Sequence, residues 1–419
     1  MKALVLAGGF PQIALIQELK TRGISVVLAD YNEEPVARKY ANKYYKVSTL
    51  DIDAIRDVAV REKVDFLITV CTDQALHTVA KVSEELSLPC YINYQTALNV
   101  TNKQYMKQVF SRNGIPTARY VIIDQFHEDS IKGMQYPLIV KPVDCNSSKG
   151  VRKCFNIDEL EHYFSEAVAL SRTSTAVIEE FVSGEELSVD VYVEDGKAHV
   201  LCISQSEKIA DQDKFVIFRA VWPVDLSENI IKQIQDNAQK IAESFDIQNS
   251  PMLIQLLTDG EHIYVVEFSA RTGGGVKYLL VKRTSGFDVI KAVVDLTLGK
   301  KPHVGTMKAE QNCLINDFIY CKPGVFDHLD GFEELMKEGI IKDYYLFTWK
   351  GASFKTIKAS GDRLAGYTVV GNTPEELIAK HKEARRKIKA ISIDGADMIR
   401  HDLLTDLVCR NGFLLSEKS

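Results

Sequence analysis

The sequence predicts an α/β fold with a parallel sheet at the N-terminus, an α+β region after it, and a smaller α/β domain at the C-terminus. Strand and helix patterns alternate over the first hundred residues. The pattern changes at about residue 102, where one helix is followed by a run of strand-like segments, and it changes again near residue 300. At 419 residues the chain is too long for one ordinary hydrophobic core, so two or three domains are expected.

The first hundred residues predict a parallel sheet covered by helices on both faces. The predicted elements are a strand over 2–7, a helix over 12–22, a strand over 25–29, a strand over 65–70 and a helix over 73–86. Ligands of such sheets lie beyond the carboxyl ends of the strands. Gly8, Gly9, Asp30 and Asp73 are therefore expected at one edge of the sheet.

Residues 101–300 predict a largely antiparallel region. A helix over 103–113 ends at Gly114, and a second helix is predicted over 229–244. An Asp259-Gly260 step between two strand patterns is typical of a hairpin. The predicted strands cover 119–123, 138–142, 176–181, 187–193, 199–204, 252–257 and 263–268.

The remaining residues, 301–419, predict a smaller α/β-type domain. Its clearest element is a charged helix over 374–387. The basic run 380–389 within and after that helix is typical of a solvated helix face. The predicted domains are therefore 1–100, 101–300 and 301–419.

Composition excludes several classes of partner. A net charge of -6 and a pI near 5.9 argue against binding to nucleic acid or to an anionic membrane. No apolar run approaches the roughly 20 residues that span a bilayer. The N-terminus is not patterned like a signal peptide, and the eight cysteines show no CxxC pair or zinc-ligand spacing. These features predict a cytoplasmic protein with free thiols.

A dehydrogenase is the first functional alternative. A glycine turn after the first strand and an acid after the second, here Gly8-Gly9 and Asp30, are features of dinucleotide sites. The run from residue 8 to residue 13 is not G-x-G-x-x-G, however, because the third glycine is absent. Glycine turns after a first strand are also common for steric reasons, so nicotinamide binding is disfavoured.

A lysine at the end of an apolar strand is the first motif with chemical meaning. Lys141 ends the strand over 138–142, and the small-residue loop 143–151 follows it. Such a loop can present backbone N–H groups to a polyphosphate while the lysine supplies a positive charge. Many Ser/Gly loops are only turns, so this signal needs others beside it.

Acidic residues cluster at both ends of the next connection. Glu179 and Glu180 end one strand pattern, and Glu185 and Glu186 begin the next, directly after Ser183-Gly184. A surface hairpin explains the second pair but not the clustering at both ends.

The third motif is Glu267-Phe268-Ser269-Ala270-Arg271, followed by Thr272 and three glycines. Side chains at 267 and 269 point to the same side of a strand. If the Asp259-Gly260 hairpin has a five-residue loop, Gln255 lies diagonal to Glu267 on the partner strand. Carboxylate, amide and hydroxyl oxygens are ligands that magnesium accepts, and Arg271 suits an anionic group.

These three segments, in this order and spacing, resemble the ATP-grasp superfamily, and the resemblance covers nearly the whole chain. Residues 1–100 look like a preATP-grasp domain, 101–300 look like the two-lobed ATP-grasp fold with a central lobe at about 115–185, and 301–419 look like the C-terminal domain that completes the ligase. The run 267–274 is most similar to L-amino-acid ligases and related carboxylate–amine ligases. The stretches 360–367 and 393–397 also resemble their C-terminal domain.

The resemblance implies a set of site residues. Lys141 and Arg271 would be catalytic, Arg271 by stabilising the transferred phosphoryl group and the acyl phosphate. Gln255, Glu267 and Ser269 would bind Mg²⁺, with Mn²⁺ as an alternative metal. The residues expected to contact ATP are Lys103, Lys141, Ser147, Ser148, Gly150, Glu179, Glu180, Phe181, Val182 and Glu186.

Within the nucleotide set, each segment has an implied role. Lys103 and Lys141 would touch the phosphates, the loop 146–150 would cover them, the hinge 179–182 would read adenine, and Glu186 would hold the ribose. The family usually has asparagine where this chain has Ser269. A hydroxyl reaches less far than an amide, so the second metal would bind more weakly or through water.

The resemblance implies an ATP-dependent carboxylate–amine ligase that works through an acyl phosphate and releases ADP and phosphate. Its partners would be a small carboxylate and a small amine, with no nucleic acid and no membrane, and it would form a homodimer. Alternatives are an enzyme that phosphorylates bicarbonate or a purine-pathway carboxylate, and a catalytically weak ATP-binding regulatory protein. Lys208 and Arg219 could meet a substrate carboxylate, although lone basic residues are more often surface charges.

Overall fold

The computed structural model describes residues 1–145, 148–209 and 215–417. Its N-terminal sheet is parallel, with the order β3-β2-β1-β4. The strands are β1 (Lys2–Leu6), β2 (Ser25–Asp30), β3 (Lys43–Lys46) and β4 (Phe66–Ile68), and the helices around them are α1 (Phe10–Thr21), α2 (Ile52–Glu62), α3 (Asp73–Glu85) and α4 (Tyr94–Asn99). The predicted parallel sheet is confirmed.

Burial explains why the first strand reads as a continuous apolar run. Ala3 and Val5 belong to one hydrophobic cluster, and Leu4 and Leu6 belong to another. Alternate side chains of a strand face opposite sides of its sheet, so both faces of β1 are covered. The helices therefore lie on both sides of this sheet.

A small antiparallel sheet follows, with the order β5-β8-β6-β7. Helix α5 precedes it, and helix α6 packs on one of its faces. The bounds are α5 (Lys103–Arg112), β5 (Tyr120–Ile123), β6 (Leu138–Pro142), β7 (Arg152–Cys154), α6 (Ile157–Leu170) and β8 (Ala176–Glu180). The predicted end of α5 is confirmed at Gly114, which has a φ of 62° and so follows the helix in a left-handed conformation.

A larger, eight-stranded sheet has the order β13-β12-β9-β10-β11-β14-β18-β16. All of its adjacent strands are antiparallel, as expected for an α+β region. Its elements up to residue 300 are β9 (Glu185–Glu194), β10 (Lys197–Lys208), β11 (Ile217–Trp222), α7 (Glu228–Ser244), β12 (Ser250–Thr258), β13 (Ile263–Ser269), α8 (Lys277–Ser285) and α9 (Val289–Thr297).

The hairpin between β12 and β13 differs from its predicted geometry. Thr258 pairs with Ile263, so the connection has four residues rather than five. A bulge after Gln255 then leaves Val266 without an opposite residue, and Gln255 pairs directly with Glu267. The predicted diagonal placement is wrong, and the two side chains are closer neighbours than expected.

The C-terminal residues extend the large sheet and add two small ones. The remaining elements are β14 (Cys313–Ile319), β15 (Gly324–Asp330), α10 (Phe332–Lys337), β16 (Asp343–Leu346), β17 (Ser353–Phe354), β18 (Ala365–Gly371), α11 (Pro374–Lys387), β19 (Lys389–Ser392), β20 (Leu407–Arg410) and β21 (Phe413–Ser416). The large sheet thus takes strands from both sides of residue 300, and the division at that residue stays a prediction. Among the described residues, every helix is too short or too polar to cross a bilayer.

Candidate active site

A cavity of about 310 Å³ lies between the small sheet and strands β12 and β13. Apolar side chains such as Ile139 and Leu257 line one part of it, and basic side chains line another. This combination suits a flat heterocycle beside phosphates. The predicted nucleotide residues that line it are Lys103, Lys141, Ser148, Glu179, Glu180, Phe181, Val182 and Glu186. We call this space the first cavity.

Lys141 is held by a buried ion triad. Its Nζ lies 2.6 Å from one carboxylate oxygen of Glu179, and the Nζ of Lys107 lies 2.5 Å from the other. Burial alone would raise the pKa of Glu179, but the charges of Lys107 and Lys141 lower it to about 2. Glu179 is therefore an anion that orients two lysines, and its side chain faces them.

The hinge after Glu179 offers one backbone donor. The N–H of Glu180 donates to the Arg119 carbonyl at 2.9 Å, and that of Phe181 donates to the Pro137 carbonyl at 3.0 Å. Within the described parts of the chain, the N–H of Val182 has no such acceptor. An open N–H on the wall of an apolar cavity is the group that a ring nitrogen of adenine needs.

Lys208 belongs to this cavity. Its Nζ lies 2.6 Å from a carboxylate oxygen of Glu186, and both side chains line the first cavity. Lys208 is thus paired with Glu186 in the first cavity, whereas the sequence suggested that it could meet a substrate carboxylate.

The hypothesis that Arg219 meets a substrate carboxylate is wrong, and so is the alternative of a surface charge. Its side chain is 0% exposed, and its guanidinium forms a fork with the carboxylate of Asp317, at 2.6 and 2.9 Å. Arg219 lies on β11, directly opposite Asp317 on β14. A charge buried at such a position is tolerated only when it is paired.

The predicted phosphate loop lies only partly within the described residues. Ser147 and its neighbour at 146 lie outside them. Ser148 has a φ of 61° and donates from its hydroxyl to the Phe215 carbonyl at 2.9 Å. Gly150 has a φ of 75°, and a Cβ there would lie only 2.8 Å from the side chain of Leu170. A glycine therefore allows the loop to pass close to Leu170.

Gln255 and Glu267 face the inner end of the first cavity. The Nζ of Lys103 lies 3.0 Å from a carboxylate oxygen of Glu267 and donates to the Cys145 carbonyl at 2.8 Å. Burial would lower the pKa of Lys103, but Glu267 raises it, so the ion pair is charged. Ser269 lies on the same strand, and a hydrogen bond from it helps to keep the pKa of Asp73 low, against the opposing effect of burial.

The described residues contain no cluster of three His, Cys, Asp or Glu side chains that could hold a metal ion unaided. Magnesium is commonly bound by one or two carboxylates together with substrate phosphates. One carboxylate and one amide at Glu267 and Gln255 therefore suit a metal that arrives with a polyphosphate.

Arg271 joins the N-terminal sheet to this region. Its Nε donates to a carboxylate oxygen of Asp73 at 2.7 Å, and its Nη2 donates to the other oxygen. Asp73 begins helix α3, at the carboxyl edge of the parallel sheet where the sequence predicts it. Asp73, which belongs to the N-terminal region, therefore holds the guanidinium of Arg271 in position.

A second cavity, of about 700 Å³, adjoins the first. It extends from Gln255 and Glu267, which line both cavities, to Arg271 and the glycines after it. Its far wall comes from the C-terminal residues, including Phe318 and Arg363. Cys145, Ser148 and Lys149 also line both cavities, so the two spaces adjoin beside these residues and the Gln255–Glu267 pair.

Comparison with known proteins agrees with this arrangement. The ATP-grasp domain family matches residues 134–278, which contain β6, the hinge and the β12–β13 hairpin. This chain contains an ATP-grasp domain. The resemblance inferred from the three motifs is therefore confirmed.

Curated proteins similar to this chain include a ligase and a larger multifunctional protein. The phosphoribosylamine–glycine ligase of Lactococcus lactis is 25% identical over 72% of this chain and 74% of its own length. The multifunctional protein ura1 of Schizosaccharomyces pombe is 22% identical over 68% of this chain, and this chain covers only 13% of it.

The L-amino acid ligase of Bacillus licheniformis has a similar fold. The TM-score is 0.78 at 21% identity, and the match covers 93% of this chain and 98% of that one. The shared fold confirms the predicted combination of an N-terminal parallel sheet with an ATP-grasp fold.

Two features of this ATP-grasp site were missed at the sequence level. Lys107 lies one helical turn after Lys103 in α5, and two lysines at that spacing among apolar residues could have indicated a shared buried face. The pairing of Asp73 with Arg271 had no local signal. The Asp30 carboxylate accepts from the Gly8 N–H at 2.7 Å and from the Asn32 N–H at 2.7 Å, so in this structure it holds the turn after β1.

Proposed function

We propose that this protein is an ATP-dependent carboxylate–amine ligase that forms an amide or peptide bond and releases ADP and phosphate. One observation carries the proposal: Gln255 and Glu267 line both the first cavity, which has nucleotide chemistry, and the larger second cavity. A phosphoryl donor and an acyl acceptor would thus be brought together at a point with metal-ligand chemistry.

The first cavity would hold ATP with Mg²⁺, as ATP-grasp enzymes use them. Lys103 and Lys141 would contact the phosphates, Val182 would donate to adenine, and Glu186 would accept from the ribose hydroxyls. Ser147, Ser148 and Gly150 would close over the phosphates, and the proposed roles of Glu180 and Phe181 are in the wall around adenine. Magnesium would neutralise charge that develops on the phosphates, and Mn²⁺ could replace it.

The chemistry follows from the leaving group. A carboxylate does not react with an amine at neutral pH because an oxide ion is a poor leaving group. Transfer of the γ-phosphoryl group of ATP to the carboxylate oxygen gives an acyl phosphate and ADP. The amine nitrogen then attacks the acyl carbon, phosphate leaves, and the nitrogen loses a proton.

The protein would contribute position and charge to both steps. Lys141 would stabilise charge on the phosphates, and the guanidinium of Arg271 would face the transferred phosphoryl group while Asp73 holds it in place. Gln255, Glu267 and Ser269 would orient the metal. Water must be kept from the acyl phosphate, and closure of the small sheet over the first cavity would do this.

A screen for phosphate release tests the proposal. The protein would be incubated with ATP, Mg²⁺ and pairs of amino acids, and both ADP and phosphate would be measured. We expect release that requires one carboxylate and one amine, and a fall of about 100-fold or more in Lys141→Ala and Glu267→Ala. Lys240→Ala, on the exposed side of α7, is the matched control and should keep full activity.

The products and substrates discriminate the alternatives. AMP and pyrophosphate would contradict the proposal. ATP turnover stimulated by bicarbonate without an amino acid would favour the bicarbonate or purine-pathway enzyme instead. ATP binding without turnover across the whole panel would favour a regulatory protein. Ser269→Asn, which restores the usual family residue, would then be the first variant to test for recovered activity.

We also propose a cytoplasmic homodimer. All eight cysteines are free in the structure, as a reducing compartment requires. Light scattering after size exclusion measures the oligomeric state, and a monomer at micromolar concentration would contradict the dimer.

A further inference from the structure

Arg363 lines the second cavity without an acidic partner. It precedes β18, and its guanidinium carbon lies 4.1 Å from the centre of the Phe318 ring. Its Nε donates to the Ser360 carbonyl at 2.6 Å, and it also hydrogen-bonds with the hydroxyl of Tyr320. These contacts hold the plane of the guanidinium but use only part of its five N–H donors.

The buried Arg219 and Arg283 and the half-buried Arg271 are, by contrast, all paired with carboxylates. Arg219 forms its fork with Asp317, and Arg271 forms one with Asp73. Arg363 has no ion pair with any described residue. Its neighbour Asp362 is not a partner, because that carboxylate accepts the N–H groups of residues 358 and 359 at 2.7 and 2.9 Å.

The second cavity has an excess of positive charge. Of the described residues that line it, four are Lys or Arg and two are Asp or Glu. Both acids already have basic partners, because Asp73 pairs with Arg271 and Glu267 pairs with Lys103. Of the basic residues, Arg271 pairs with Asp73 and Lys277 interacts with the buried Asp190, whereas Arg363 has no acidic partner among the described residues. Its positive charge is therefore available to what the cavity binds.

A glycine keeps this guanidinium close to the catalytic segment. Gly275 follows Arg271 by four residues, and a Cβ at Gly275 would lie 2.7 Å from the Nη1 of Arg363. Without a side chain at 275, the guanidinium reaches the backbone of the glycine run that also lines the cavity. Arg363 thus lines the same cavity as Arg271, beside the glycine run that follows Arg271.

We infer that Arg363 binds a carboxylate of the substrate that is not activated. The inference rests on the proposed ligase activity and names the substrate class of its second cavity: a small molecule that keeps a free carboxylate while another group reacts. A planar guanidinium held by stacking binds a carboxylate through two parallel hydrogen bonds. That carboxylate belongs either to an amino acid that supplies the amine or to a dicarboxylate that supplies the acyl group.

Analogues without the charge test the inference. For an active pair found in the screen, each substrate would be compared with its carboxamide at the carboxylate that does not react. We expect the wild type to prefer one acid over its amide by about 10- to 100-fold in kcat/KM, mostly through KM. The substrate whose amide fails identifies which of the two carries the bound carboxylate.

Arg363→Met should abolish this preference, so that acid and amide differ by less than about threefold, while Arg363→Lys restores part of it. Arg61→Met, on an exposed face of α2, is the matched control and should keep the preference. Unchanged ATP affinity in the Met variant would show that it is folded. A preference retained by a folded Arg363→Met variant would overturn the inference.

Binding without turnover separates this inference from the proposed activity. Saturation-transfer NMR would record the binding of L-amino acids and of their amides to the wild type and to Arg363→Met. If acids bind through Arg363 but no pair releases phosphate, the inference stands and the ligase proposal fails. If pairs release phosphate but neither substrate needs a second carboxylate, the ligase proposal stands and the inference fails.

Discussion

At the scale of single residues, Glu179 decides the geometry of the phosphate end of the first cavity. Its carboxylate contacts Lys107 and Lys141 at 2.5 and 2.6 Å, and all three side chains are almost fully buried. A buried lysine without an acid would lose its charge or its position. The hinge acid, which the resemblance assigned to adenine, therefore acts in the structure by holding two lysines.

Glu179→Gln should destabilise the protein by about 3–5 kcal/mol, because two buried lysines lose their counter-charge while the side chain keeps its shape. Urea unfolding at pH 7 measures this change. Glu166→Gln is the control, since that side chain is 48% exposed, and it should change the free energy of unfolding by less than about 0.5 kcal/mol. Equal stability of the two variants would contradict the role of the triad.

Acid titration gives a second measure of the same residue. The pKa of Glu179 lies at about 2 in the folded protein, against an ordinary value of 4.5. The unfolded chain therefore binds this proton more readily, so the stabilisation is present above about pH 4.5 and is lost as the pH falls towards 2. Glu179→Gln should show a shallower loss of stability over that range, and an unchanged slope would contradict the assignment.

At the scale of elements, the connection between β8 and β9 packs against the β12–β13 hairpin. A Cβ at Gly184 would overlap the Thr258 carbonyl, where β12 ends. This contact ties the hinge to the hairpin that presents Gln255 and Glu267. The adenine side and the metal side of the first cavity are therefore positioned by one glycine contact as well as by strand pairing.

Gly184→Ala should destabilise the protein by about 1–3 kcal/mol and weaken ATP binding, because the hinge must move away from β12. Gly305→Ala is the matched control: its Cβ would meet nothing within 4 Å, and stability should stay within about 0.5 kcal/mol of the wild type. Urea unfolding and ATP titration measure both variants. Wild-type ATP affinity in Gly184→Ala would show that the contact does not set the hinge.

At the scale of the whole molecule, the Arg219–Asp317 pair links segments far apart in the sequence. Arg219 also donates to Ser416 at 2.9 Å, and the Nε2 of His381 lies 2.8 Å from Asp317. Burial would raise the pKa of Asp317, but Arg219 and His381 hold it well below its usual range. Strands β11 and β14, helix α11 and the final hairpin thus meet at one buried charge network.

Arg219→Leu should cost about 3–5 kcal/mol of unfolding free energy, because Asp317 would be left buried without its main partner. Arg219→Lys should recover only part of this loss, since an ammonium cannot form the two-pronged contact. Arg61→Leu is the exposed control. Thermal and urea unfolding check the series, and full stability of Arg219→Lys would contradict the importance of the fork.

Most strands of the first 300 residues and several helices could be predicted from the sequence, because hydrophobic periodicity and glycine signals are local. The elements β3, α2, β7 and α6 were not predicted. The candidate site residues Lys141, the hinge after Glu179, and Glu267 with Arg271 could be proposed from the sequence because their motifs are short runs. Only the tertiary structure decided which charges meet. Arg271 is 198 residues from Asp73, and Arg219 is 98 residues from Asp317.

Contacts at such separations depend on how sheets and helices pack, and packing leaves no periodic trace in the sequence. The bulge after Gln255 is a smaller case of the same kind, because one extra residue in β13 changed a diagonal neighbour into a direct one. The partner of a buried charge is therefore a property of the assembled sheets, whereas the presence of the charge can be read along the chain.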